Sequence, residues 1–148
     1  MRALVQRVKG ASVTVEAETV GEIDQGLLVF LCAEAGDNET ESAFFARKIA
    51  SMRIFNDAEG RLNRSVVNVG GAVLVVSQFT LAAAWRKGNR PSLSGAALPE
   101  LGERLYDHFC GQLAQAGILV QTGRFGAHMD VSLVNDGPVT IWMNSADP

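Results

Sequence analysis

Cysteine is scarce in this chain: Cys32 and Cys110 are the two among 148 residues. They lie far apart and form no C-x-x-C or zinc spacing, so they read as buried free thiols of a reduced cytosol. Histidine is equally sparse, with His108 and His128 alone. A metal site needs three or four ligands at suitable spacing, and none is visible, so the expectation is chemistry without metal or cofactor. Each histidine reads as a surface or capping residue. Long apolar runs are missing. The longest, Leu27 to Ala33, has seven residues, far short of the roughly 20 that span a membrane. The first seven residues already carry Arg2 and Arg7, which leaves no room for a signal-peptide core. Positive charge is in deficit, 13 Lys and Arg against 16 Asp and Glu, for a net charge of -3. That argues against coating nucleic acid by bulk charge and leaves room for a local basic patch. Three familiar catalytic signatures are also absent: the G-x-S-x-G elbow, the Walker A loop and H-E-x-x-H.

What is present is an ordinary globular composition, 47% apolar and 20% charged, which suits one domain over residues 1–148. Residues 2–9 alternate, Gly10 interrupts, and Ser12 to Glu18 alternates again, which predicts a hairpin across the glycine. Residues 26–34 are apolar on both faces and predict a central strand. Asn38-Glu39-Thr40-Glu41 has the form of a capping box, and Phe45, Ile49 and Met52 then share one helical face. Residues 56–60 read as a turn. Residues 72–79 predict a second buried strand with a polar end. Residues 82–97 have no period and form the longest loop. Pro99 opens a helix carrying Leu101, Leu105, Phe109 and Leu113 on one face, and Gly117 closes it. Strands are expected at about 118–123, 129–135 and 139–144. The order βββαβαβββ is α+β with a largely antiparallel or mixed sheet.

Four segments can carry chemistry. Ser77-Gln78-Phe79-Thr80-Leu81 follows a buried strand and offers hydroxyls, an amide and a row of backbone N–H groups, which suit a developing oxyanion. It reads equally as a strand end whose hydroxyls satisfy the backbone. Asn135-Asp136-Gly137-Pro138-Val139-Thr140 carries a Gly-Pro turn signal. Arg86-Lys87-Gly88-Asn89-Arg90-Pro91 places three cations on a loop, suited to phosphates or to a merely solvated surface. Gly123-Arg124-Phe125-Gly126 adds a cation and an aromatic.

Taken together, these segments resemble the D-aminoacyl-tRNA deacylases, the D-tyrosyl-tRNA deacylase family. The resemblance covers almost the whole length. It runs through Gln6-Arg7-Val8, Ala11-Ser12-Val13-Thr14-Val15, Gly26-Leu27-Leu28 and Arg53-Ile54-Phe55. It continues through Asp57-Ala58-Glu59-Gly60, Ser77-Gln78-Phe79-Thr80-Leu81 and Arg90-Pro91-Ser92. It ends with Gln121-Thr122-Gly123-Arg124-Phe125-Gly126 and the segment from Val131 to Thr140. The chain departs from the family's usual residues at Ala84, Trp85, Leu93 and His128, all outside the two signature segments.

The resemblance implies a barrel-like mixed or antiparallel sheet with two main helices packed outside. It implies a cytoplasmic homodimer that needs no metal. The implied reaction is hydrolysis of the ester joining a D-amino acid to the 3′-terminal ribose of tRNA. Ser77, Gln78, Phe79 and Thr80 become the catalytic segment. Gly137 and Pro138 become a Gly-cisPro motif that one subunit presents to the other's site and that rejects L-aminoacyl-tRNA. Arg86, Lys87, Arg90 and Arg124 become tRNA contacts. Glycine, having no side chain to reject, is expected to be removed when misattached to tRNA for alanine. Thr80 is left as either a nucleophile or a positioning group. Two rival readings are a general esterase acting on small esters, and a nonenzymatic RNA-binding or replication-associated module.

Overall fold

The computed structural model describes residues 1–148. Eight strands and two helices follow one another in the order β1 Arg2–Val15, β2 Glu18–Ile23, β3 Gly26–Cys32, α1 Glu39–Ser51, β4 Phe55–Asn56, β5 Leu62–Arg64, β6 Ala72–Ser77, α2 Pro99–Gln115, β7 Leu119–Thr122 and β8 Asp130–Asn144. A short 3₁₀ turn, Phe79–Ala82, lies between β6 and α2. Six strands form one mixed sheet in the order β2-β1-β3-β6-β7, with β8 along β1. The β3/β6 and β6/β7 pairs are parallel because a helical crossover joins each of them. The remaining pairs in this sheet are antiparallel.

Two apolar cores follow from the period-2 alternation of the strands. On β3 and β6, Leu27, Val29, Val73 and Val75 face α1 and α2, where they meet Phe45, Ile49, Leu105, Phe109 and Leu113. Leu28, Leu74 and Val76 face the other way and meet Val8, Val13 and Ile23. The sheet curls around this second set. At the point of closure β7 passes so near β2 that a Cβ on Gly21 would lie 2.3 Å from the Thr122 carbonyl oxygen. Only glycine permits that approach. The helices begin where the sequence places them. Asn38 caps α1 in a full capping box with Glu41, and Pro99 opens α2.

The structure corrects three expectations. Gly10 does not turn the chain; β1 runs through it, and the hairpin falls at Glu16 and Ala17, whose φ values are 50° and 64°. The glycine instead marks an irregularity in the β1/β8 register, the other common meaning of glycine within a strand. The strands expected at 129–135 and 139–144 are one strand, β8, and both halves pair with β1. The buried strand expected to reach residue 79 stops at Ser77. Phe79 is apolar but 55% exposed on the 3₁₀ turn, and an apolar run cannot distinguish that turn from a buried strand.

Candidate active site

The end of β6 and the 3₁₀ turn form one wall of a cleft of about 480 Å³. Ser77 and Phe79 lie on that wall, and Leu93, Ala96, Ala97, Leu98, Phe125 and Met129 supply much of the apolar remainder. The turn is fixed from several directions. The Gln78 N–H donates to the Leu31 carbonyl at 2.8 Å. The Cys32 thiol donates to the Phe79 carbonyl at 3.6 Å. The Arg2 guanidinium donates to the Leu81 carbonyl at 2.8 Å, and also pairs with Glu34 at 2.8 Å. The Gln78 side-chain amide donates to the Thr80 hydroxyl.

Phe79 and Thr80 open the 3₁₀ turn, so their N–H groups have no acceptor within it. Neither N–H bonds a loop carbonyl or a side chain. Two amide donors therefore lie together at the edge of an apolar cleft. Hydrogen bonds to a developing negative charge are strongest in such surroundings.

Side-chain nucleophiles are poorly served. Cys32 lines the cleft, but burial, and after it the nearby Glu34 charge, push its thiol above the ordinary cysteine range. Burial pushes the half-buried Cys110 thiol up to about 12. Both thiols thus stay protonated at neutral pH, and neither supplies a thiolate. Ser42, His108 and Glu39 have the composition of a serine triad, with His108 Nδ1 3.0 Å from Ser42 Oγ and Nε2 3.9 Å from Glu39. Ser42 is 0% exposed and its hydroxyl donates to the Leu105 carbonyl at 3.1 Å, so this cluster links α1 to α2 and meets no substrate. His128 lies on the surface, 3.9 Å from Asp130.

The second signature segment lies elsewhere. Val8 pairs with Asn135 and Gln6 with Thr140, so the single residue Arg7 faces the four residues from Asp136 to Val139. Those four bulge outward, and the Gly137-Pro138 bond within them is cis. Arg7 is only 6% exposed and acts as a bolt. Its Nε donates to the Asp136 carbonyl at 3.1 Å and lies 3.4 Å from the Asp136 carboxylate. Its Nη1 donates to the Ile54 carbonyl at 2.8 Å and to Asn56 Oδ1 at 3.4 Å. The Asn135 amide closes the neck of the bulge, donating to the Arg7 and Val139 carbonyls at 3.0 Å each. Thr140 donates to Asn135 Oδ1 at 3.3 Å and accepts from Gln6 at 3.2 Å. Gly137 and Pro138 themselves are exposed, and neither lines the cleft of its own chain.

The sequence motifs are thus in two groups. Ser77 and Phe79 line the cleft, with Gln78 and Thr80 next to them in the chain. The loop that follows carries exposed Arg86, Lys87 and Arg90, which line a separate hollow of about 470 Å³ with Trp85 and Ser92, and exposed Arg124 adjoins Phe125 of the cleft wall. Gly137 and Pro138 stand apart. Arg2, Arg7, Asn56 and Cys32 were not among the expected site residues. Arg7 had a signal: it shares the inward face of an alternating strand with Ala3 and Val5, and a charge in that position needs a partner.

Comparison with known proteins first gives the class. A solved structure described as a probable eukaryotic D-amino acid tRNA deacylase superposes with a TM-score of 0.81 at 17% identity, over 96% of this chain and 97% of its own, so the two share a fold. A second, the c-Myc DNA Unwinding Element Binding Protein, superposes with a TM-score of 0.93 at 40% identity, over 99% of this chain and 100% of its own. The family described as D-Tyr-tRNA(Tyr) deacylase matches residues 4–144, and the chain belongs to it. D-aminoacyl-tRNA deacylases of Ruegeria pomeroyi and Cereibacter sphaeroides are each 60% identical, over 97% and 98% of this chain and 99% and 100% of their own lengths. The chain is accordingly a hydrolase of carboxylic esters. None of its helices is long and apolar enough to cross a membrane.

Proposed function

We propose that the chain removes D-amino acids from tRNA in the cytoplasm and spares L-aminoacyl-tRNA by shape alone. The observation that carries this reading is the Gly137–Pro138 bulge, exposed at its tip and bolted through Arg7 and Asn135. D and L aminoacyl esters share every functional group, so binding energies of the groups themselves cannot separate them. A wall that occupies the volume of an L side chain can. Such a wall must not yield, and buried hydrogen bonds behind the bulge give it that stiffness.

Because the bulge lies outside its own chain's cleft, it acts on a second copy. Two chains would meet along β8, whose outer edge is unpaired and which presents exposed Val134 and Trp142. Each bulge would then enter the partner's cleft, making the enzyme a homodimer. The apolar cleft takes the 3′-terminal adenosine, and the amides of Phe79 and Thr80 hold the ester oxygen as charge develops. Ser77 and Gln78 position the nucleoside and the ester. The exposed cations Arg86, Lys87, Arg90 and Arg124 hold backbone phosphates, contacts that carry little base information and suit an enzyme meeting many tRNAs. No metal or cofactor is required for so activated an ester.

Thr80 orders the attacking water. Its hydroxyl already accepts from Gln78, and no titratable base stands beside it to make it a nucleophile. A rapid quench of turnover followed by mass spectrometry should find no acyl group on the protein. A trapped Thr80 ester would assign it the nucleophile's role.

Glycine offers the wall nothing to strike. In one panel with D-tyrosyl-tRNA, L-tyrosyl-tRNA and glycine misattached to tRNA for alanine, the order of rates should be D-tyrosyl, then glycyl, with L-tyrosyl at background. Equal D and L rates would point to the general esterase. Binding of RNA or DNA without any turnover would point to a nonenzymatic module, the reading that the name of the DNA-element-binding neighbour favours.

A further inference from the structure

Residues 84–92 form a loop pinched shut at its base, where Ala84 and Ser92 exchange two backbone hydrogen bonds of 2.8 and 3.0 Å. The chain enters this loop from the 3₁₀ turn that edges the cleft. It leaves into Leu93 and Ser94, which line the same cleft. The loop therefore rises from the cleft's rim. From Leu81 to Leu98 it carries three cations and no acidic residue, in a chain whose net charge is -3. On it stands Trp85, an indole 68% exposed, with the Arg86 guanidinium 5.3 Å from its ring centroid.

A large exposed aromatic on a purely basic loop has one well-matched class of ligand. Nucleobases stack on indoles whatever their sequence, and their phosphates sit on the adjacent cations. An acidic peptide would use the charges and leave the flat ring idle. An apolar protein surface would use the ring but would strip water from three cations without pairing them, which is costly. We propose that Trp85 is a stacking platform for an unpaired base of the substrate's 3′ single strand, one that precedes the terminal adenosine and leaves the cleft over this rim. The inference rests on the reading that the cleft takes the terminal adenosine. It assigns Trp85 to binding of the strand and keeps it away from the reacting ester.

Wild type, Trp85→Ala and Trp85→Phe are compared on two substrates, D-tyrosyl-tRNA and D-tyrosyl-adenosine. The second carries the ester and the terminal nucleoside but no upstream base. Trp85→Ala should raise KM for D-tyrosyl-tRNA by roughly 5- to 100-fold with kcat unchanged, the loss of one stacked base. Trp85→Phe should restore most of that loss. All three forms should cleave D-tyrosyl-adenosine alike. A KM within twofold of wild type for Trp85→Ala on tRNA overturns the inference. So does an equal loss on both substrates, which would mean that Trp85 merely supports the cleft. If no form cleaves either substrate, the deacylase reading itself falls and the inference with it.

Discussion

Replacing Arg7 with methionine is expected to lower the unfolding free energy by about 1–3 kcal/mol, the range for leaving a buried acceptor without its donor. Methionine fills a similar volume but has no donor. The Ile54 and Asp136 carbonyls and the Asn56 amide oxygen would each lose a partner. Unsatisfied acceptors, with the Asp136 carboxylate left without its cation, account for the loss. Urea unfolding should show a lower midpoint at an unchanged slope. The functional result should be the larger one. With the bolt gone the bulge can move, and L-tyrosyl-tRNA should begin to be hydrolysed while the D rate falls. Arg7→Lys keeps the charge but loses the fork geometry, so it should fall between the two. A methionine variant as stable and as selective as wild type would mean that the bulge is held by something other than Arg7.

Gly137→Ala is the second large effect. Gly137 has a φ of +130°, where L side chains are strained. A Cβ there would also lie 2.9 Å from a Val139 methyl and 3.1 Å from the Arg7 guanidinium. Val139 belongs to the bulge and Arg7 is the side chain that fastens it, so neither yields freely. The strain costs about 1–3 kcal/mol and is relieved by shifting the Gly–Pro tip. A shift near 1 Å at a reacting geometry costs on the order of 100-fold in rate. The alanine variant should therefore fold, melt somewhat earlier, and lose about 100-fold on D-tyrosyl-tRNA. Wild-type rates on both D and L substrates would remove the tip from the selective machinery.

Much of the fold is legible in the sequence, and the reason is local. β3 and β6 are apolar on both faces because each sits between two cores. Asn38 to Glu41 and Pro99 announce the two helix starts through hydrogen-bonding and φ preferences that need no tertiary context. What is not legible depends on partners distant in sequence. Gly10 has the composition of a turn, and only β8 running along both halves of β1 makes it a bulge. The strand predicted as two segments near the C-terminus is one, and the three extra residues it carries opposite Arg7 are invisible without the register. Ser77 to Thr80 stand out as a polar strand end, but the freedom of the Phe79 and Thr80 amides depends on the 3₁₀ turn that follows. Arg2 and Cys32 carry no motif at all. They matter because the fold brings their side chains to the carbonyls of that turn.

The placement of Gly137 and Pro138 has the sharpest consequence. The cleft of one chain is not lined by that chain's own Gly137–Pro138 tip, and on the proposed reading the tip is the wall of the partner's site. A hybrid dimer tests this most directly. One subunit carries Gly137→Ala. The other carries Phe79→Pro, which deletes an amide donor at the first position of the turn, where proline's φ is tolerated. Each homodimer of a variant should be nearly inactive on D-tyrosyl-tRNA. If the wall is supplied by the partner, the purified hybrid has one site with an intact wall and an intact cleft, and should recover about half of the wild-type rate. A hybrid as inactive as its two parents would mean that wall and cleft work within one chain, and the shared site would be wrong.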